Sequence, residues 1–230
     1  MTGRMSDTKR VGAIKWDTMG FRALALDFDG TAITDGEPLN SDLAERIAKL
    51  RAIGVKVILA TGRSVSELQE LVDLGMFDAV VAENGTILVI SGTKSTLAPK
   101  RWLRERKKFV KVLGQGFEEV LISLGRERLD EARSLVGGRA KIELNKDRIM
   151  VGPTGFDKGS GLKEALRRLG IGDGVVCIGD GENDLPMFRV SNVRIALLNS
   201  VEALKSEADY IASRPDGEGA AEAIGELMLK

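Results

Sequence analysis

The sequence predicts an α/β protein, a Rossmann-like parallel sheet core carrying an inserted α+β unit. Three observations carry that reading. Short apolar runs alternate with helix-period segments over residues 21–85 and again over 154–230, the rhythm of strand–helix–strand units with right-handed crossovers. Between them, residues 86–153 place strand-like runs side by side across a tight connection, which favours antiparallel pairing. The unusual polar residues fall just after strand-like runs, where open parallel sheets bind ligands.

In order along the chain, RALAL (22–26) is short, continuous and apolar, as a buried strand should be. Asn40 and Ser41 suit the start of a helix running to about Ile53, with Leu43, Ile47 and Leu50 at helical spacing and Gly54 as its stop. VKVILA (55–60) is the next strand, Ser64 caps a helix over 65–74, and DAVVAE (78–83) is a third strand. The insert is expected to hold strands at 86–91, 119–124, 140–145 and 148–152, with helices at 100–113 and 126–136. The alternating rhythm then resumes with a helix at 160–169, a strand at 175–178 and a short helix after Asp184. A strand at 193–197 and a helix from about 219 complete it. Residues 1–20 lack a signal-peptide apolar core and read as a poorly ordered leader.

The composition narrows the chemistry. Thirty-four basic residues balance 34 acidic ones among 230, which argues against a broad nucleic-acid or anionic-membrane surface. Trp102, Phe109 and Phe117 read as packing residues, and the basic run 101–111 as a solvated helix face. No apolar run approaches the roughly 20 residues that span a bilayer. The single cysteine, Cys177, forms no intrachain disulfide and fits a reducing cytoplasm. The chain has no histidine, which excludes Ser-His-Asp catalysis and His-ligated zinc. Catalysis must therefore use carboxylates, lysine, hydroxyls or an oxygen-bound metal.

The strand ends supply those groups. Strand 22–26 delivers Asp27 and Asp29, strand 55–60 delivers Thr61, Gly62 and Arg63, and the third delivers Glu83 and Asn84. GDGEND (179–184) follows the strand at 175–178, and Asp157-Lys158-Gly159-Ser160-Gly161 precedes a helix. Asp27, Asp29, Asp180 and Asp184 in one cleft repel each other, at about 4 kcal/mol per pair for ~4 Å and an effective dielectric of ~20. An all-oxygen cluster of this kind suits Mg²⁺. Lys158 adds a cation and Thr61 a hydroxyl, while Gly30, Gly62 and Gly159 allow amides to approach an anion. Acids, a hard cation and anion donors together fit a phosphoryl group.

DFDGT (27–31), the hydroxyl of Thr61 in ATGR, Lys158 in DKGSG and GDGENDLPMF (179–188) resemble the four motifs of the haloacid dehalogenase-like (HAD) superfamily, in order and spacing. AENG (82–85) and the following insert resemble the Cof-type, or IIB, subclass with its α+β cap domain. The resemblance implies an Mg²⁺-dependent phosphatase acting on a small-molecule phosphate ester, with neither nucleic acid nor membrane as partner. It implies Asp27 as nucleophile and Asp29 as general acid, then base. It implies metal ligation by Asp27, Asp180 and the Asp29 carbonyl, supported by Asp184. Phosphate contacts are implied for Gly30, Thr61, Gly62, Lys158 and Asn183. Arg63, Asn84, Lys146 and Arg148 are candidates for the rest of the substrate. DKGSG, GDGEND and DGEGAAEAI (216–224) resemble archaeal phosphoglycolate phosphatases, so 2-phosphoglycolate is the expected substrate. Two other readings stay open: a sugar phosphomutase or sugar-phosphate phosphatase of the same superfamily, and a receiver-like signalling module, against which Asp29 and the insert count.

Overall fold

The four-residue run Ala23–Leu26 (β1) is completely buried in the computed structural model, which describes residues 20–34, 37–114, 116, 118–145 and 147–229. Leu24 and Leu26 enter one apolar layer and Ala23 and Ala25 the other, as the two-residue period of a strand requires. The chain continues through α1 (Ser41–Ala52), β2 (Lys56–Ala60), α2 (Val65–Leu71), β3 (Ala79–Ala82), β4 (Ile87–Ile90) and β5 (Thr93–Thr96). Next come α3 (Lys100–Leu113), β6 (Ile122–Gly125), α4 (Leu129–Val136), β7 (Lys141–Asn145) and β8 (Arg148–Gly152). The remainder is α5 (Lys158–Leu169), β9 (Val175–Gly179), α6 (Leu185–Phe188), β10 (Val193–Ala196), α7 (Glu202–Glu207), β11 (Tyr210–Ile211) and α8 (Asp216–Leu227).

The main sheet has the order β11-β10-β9-β1-β2-β3-β4-β5. Its first six members are parallel, and β4 and β5 are antiparallel additions. Leu26 is level with both Leu59 and Ile178, so the residues that follow β1, β2 and β9 emerge together at one rim. The α/β class with a mostly parallel core is as expected.

Local chemistry explains the helix starts. The Asn40 side chain accepts from the Leu43 amide at 3.0 Å, and α1 buries Leu43, Ile47 and Leu50. Ser64 and Glu67 form a capping box on α2. Asp157 accepts from the Ser160 amide at 2.7 Å while Ser160 Oγ accepts from the Asp157 amide at 2.9 Å. That reciprocal pair starts α5 at Lys158, two residues before the expected position.

One expectation fails. The sequence places the run at 86–91 in the insert, yet β4 pairs with β3, with Ala82 opposite Ile87. The cause is local: Glu83, Asn84 and Gly85 all have positive φ (47°, 47° and 87°), and this turn sends the chain straight back along β3. β5, α7 and β11 were not anticipated. A separate antiparallel sheet, β6-β8-β7, forms only later and packs with α3 and α4. Trp102 and Phe109 are buried there, ring centroids 5.9 Å apart. Arg106, expected on a solvated face, is buried as well. Strand β7 packs against the turn 182–184, which brings the small sheet over the rim. Apart from Gly20, the leader lies outside the described residues, as do Phe117 and Lys146. No helix among the described residues is long and apolar enough to cross a membrane.

Candidate active site

Asp27 follows β1 and sends its amide to the Ile178 carbonyl at 3.0 Å, which holds it beside the end of β9. Lys158, the first residue of α5, reaches between two acids: its Nζ lies 2.5 Å from Asp27 Oδ1 and 2.6 Å from Asp184 Oδ1. The lysine is 1% exposed. Asp184 turns its other oxygen inward to accept the amides of Asp180 and Gly181, each at 3.0 Å. Thr31 donates its hydroxyl to Asp180 Oδ1 at 3.2 Å. Asp27, Asp180 and Asp184 each place one carboxylate oxygen within 4.8 Å of the others, and all three are buried.

The cluster holds three carboxylates against one ammonium, an excess of negative charge in a place where charge is expensive. Burial and the neighbouring Asp184 raise Asp27 well above the ordinary carboxylate range. Burial would lower Lys158, but Asp184 and Asp27 outweigh it and hold the ammonium above its ordinary value. Oxygen donors only, buried, and in charge excess fit a hard divalent cation. Asp184 already gives both oxygens to protein donors, which leaves Asp27 and Asp180 with more freedom to turn an oxygen toward a cation.

The other expected residues divide. Thr61 is fully buried at the end of β2, and its hydroxyl oxygen accepts the Arg63 amide at 3.1 Å, which leaves the hydroxyl proton to donate elsewhere. Asn183 is buried and its Nδ2 has no partner among the described residues. Gly30 departs from expectation: its amide donates to the Ile33 carbonyl at 2.9 Å, so its part is the turn at φ 75° rather than anion binding. Gly159 also differs, since a Cβ there would sit 2.3 Å from the Pro186 carbonyl oxygen; it permits close packing of α5. Gly62 lies under the small sheet, where a Cβ would meet Met150 Cε at 2.5 Å.

Arg63, expected to meet substrate, instead holds Asp29, with Nε 2.9 Å from both carboxylate oxygens and an Nη 2.6 Å from one. Asn84 donates to Glu143 Oε2 and to Met150 Sδ, both at 3.0 Å. Arg148 is exposed and donates to Ser123 Oγ at 2.8 and 2.7 Å. Sequence reasoning missed Lys141 and Glu143, which pair at 2.6 Å on β7. It also missed Asn199, whose amide donates to the Gly30 carbonyl at 2.7 Å and to Asp216 at 2.8 Å. Lys141 and Glu143 are neighbours on one strand, but the partners of Asn199 lie far along the chain, and only the tertiary fold brings either group to the site.

The family model for haloacid dehalogenase-like hydrolases matches residues 24–101 and 93–224. A phosphoglycolate phosphatase of Archaeoglobus fulgidus is 32% identical over 225 residues, covering 90% of this chain and 97% of that protein. One from Methanosarcina acetivorans is 31% identical, covering 90% and 96%. Among solved structures, a HAD phosphatase of Bacteroides thetaiotaomicron superposes with a TM-score of 0.76 at 19% identity, covering 95% of this chain and 99% of that one. Four motifs on one rim, a parallel core and these matches lead to one conclusion: the chain belongs to the haloacid dehalogenase-like hydrolase family, with the fold of its Cof-type, IIB members.

Proposed function

We propose that this phosphatase hydrolyses a small phosphate monoester, 2-phosphoglycolate, through an aspartyl-phosphate on Asp27. The observation that carries the reading is the buried contact of Lys158 with Asp27 and Asp184, beside Asp180. It supports a nucleophile already seated against a phosphate-binding cation. In the first step an Asp27 oxygen attacks phosphorus, the ester P–O bond breaks, and Asp29 gives its proton to the departing oxygen. In the second, Asp29 takes a proton from water, whose oxygen displaces Asp27 and releases inorganic phosphate. Lys158 and the Thr61 hydroxyl hold the phosphoryl oxygens, and Asn183 Nδ2 is a further donor. Arg63 must part from Asp29 for the proton transfers.

Mg²⁺, held by Asp27, Asp180 and the Asp29 carbonyl, would supply charge neutralisation to the phosphoryl group. The small α+β sheet would serve as the cap over the leaving group. The substrate assignment rests on the two archaeal relatives named phosphoglycolate phosphatase, and the lone buried thiol supports work in the reducing cytoplasm.

The test is phosphate release from 2-phosphoglycolate, p-nitrophenyl phosphate and a set of sugar phosphates. The expected result is highest kcat/KM on 2-phosphoglycolate, abolished in Asp27→Asn. Preference for a sugar phosphate would overturn the substrate, and full activity of Asp27→Asn would overturn the mechanism.

A further inference from the structure

Glu83 and Asn84 are adjacent, non-glycine and left-handed, both at φ 47°; Asn tolerates that region, whereas Glu enters it only where surrounding contacts impose it. Both are buried, at 0% and 1% exposure. Their side chains leave β3 in the main sheet and both end on the small sheet's unit. Glu83 Oε1 accepts the Glu119 amide at 2.7 Å, and Oε2 accepts the amides of Val120 and Leu121 at 2.7 and 2.8 Å. Arg106 of α3 takes the carbonyls of the same segment, at Leu121 (3.1 Å) and Glu118 (2.5 Å). Four residues leading into β6 are thereby fastened through both kinds of backbone group. Asn84 grips the opposite side, donating to Glu143 on β7 and Met150 on β8. Met150 in turn lies against Gly62, next to Thr61 and Arg63.

We propose that the Glu83–Asn84 pair is a positioning element that fixes the cap over the catalytic aspartates, so that the height of the roof above the leaving group is set by one dipeptide of the core. Three charge-assisted bonds from one carboxylate make a hinge that is held rather than free. Neither residue touches the reacting atoms; they act through the cap residues they hold. The kinetic consequence rests on the phosphatase reading above, whereas the grip itself does not.

The experiment uses Glu83→Gln, which puts an amide N–H₂ against backbone N–H groups, and Asn84→Gly, which keeps the left-handed backbone but removes the bonds to β7 and β8. Amide exchange at residues 119–121 is measured by hydrogen–deuterium exchange, along with kcat and KM on 2-phosphoglycolate and inhibition by inorganic phosphate. In Glu83→Gln, exchange at 119–121 should rise at least about tenfold and kcat/KM fall by about tenfold. Phosphate inhibition should stay unchanged, because phosphate is held by core residues; a merely unfolded protein would lose it. Asn84→Gly should lower kcat/KM with the same unchanged phosphate inhibition, and it carries the test if Glu83→Gln fails to fold. Unaltered exchange and unaltered kcat/KM in the folded variants would overturn the proposal. Should the wild-type chain hydrolyse no phosphomonoester, the phosphatase reading falls and the exchange rates alone decide the grip.

Discussion

Lys158 reaches Asp27 and Asp184 from inside the protein, where an ammonium is tolerated only with partners. Replacing it by methionine keeps the volume but strands two buried carboxylates. Lys158→Met should therefore lower unfolding stability by about 3–5 kcal/mol in the presence of EDTA, read from urea denaturation. Asp27→Asn in that background should recover part of the loss, since it removes one of the stranded charges; no recovery would mean the lysine acts by packing alone. Cys177 gives a second check on the interior. Burial pushes its thiol up to about 12, so thiol reagents at pH 8 should leave the native protein unlabelled and label it once unfolded. The meeting of Asp27, Lys158, Asp180 and Asp184 was legible in the sequence because each follows an apolar strand or opens a helix within motifs whose order implied one rim. The grip of Arg63 on Asp29 was not, because its partner is supplied only by the tertiary fold, and the Gly30 amide was not, because the local turn to Ile33 that occupies it has no signal distinct from an anion-binding loop.

At the scale of elements, α5 is placed by its small residues as much as by its cap. A Cβ on Gly161 would lie 2.4 Å from Gly85 Cα and 2.5 Å from Val81 Cγ1, so helix and strand turn meet almost backbone to backbone. Gly161→Ala should push the start of α5 outward and take Lys158 with it. The expected effect is a stability loss of about 1–3 kcal/mol from overpacking, with a fall in kcat larger than any rise in KM. Wild-type turnover in this variant would show that α5 has slack that the structure does not suggest. Most helices were legible from periodicity and caps, with Asn40 and Ser64 each marking a start, while the capping box of Asp157 with Ser160 that starts α5 was not read. β4 was misplaced because an apolar run looks the same whether it pairs with β3 or with a strand of the insert. The deciding feature is the left-handed turn through Glu83, Asn84 and Gly85; Asn84-Gly85 is a hairpin signature, but it stands at the mouth of the insert, where Asn84 reads as a site residue, and Glu83 does not announce a positive φ.

At the scale of the whole molecule, the sheet order sets β1 between β9 and β2, and that neighbourhood is what gathers Asp27, Thr61 and Asp180 at one rim. The rhythm of the sequence implied a parallel sheet and a common rim; the chemistry at the strand ends, rather than the rhythm, said which strands must be neighbours. The same arrangement concentrates like charge, so the folded state carries a standing repulsion that the unfolded chain lacks. A divalent cation binding there should stabilise the fold by mass action: at 100 times its Kd the gain is about 2.7 kcal/mol, or roughly 5–10 °C in Tm for a chain of this size. Thermal unfolding in EDTA and in excess Mg²⁺ measures it directly. Asp180→Asn, which removes one ligand and one charge, should unfold at a higher temperature than wild type in EDTA yet gain little from Mg²⁺. If instead Mg²⁺ shifts both proteins equally, the ion binds outside the rim, and the excess of buried carboxylates must be relieved by protonation of the cluster.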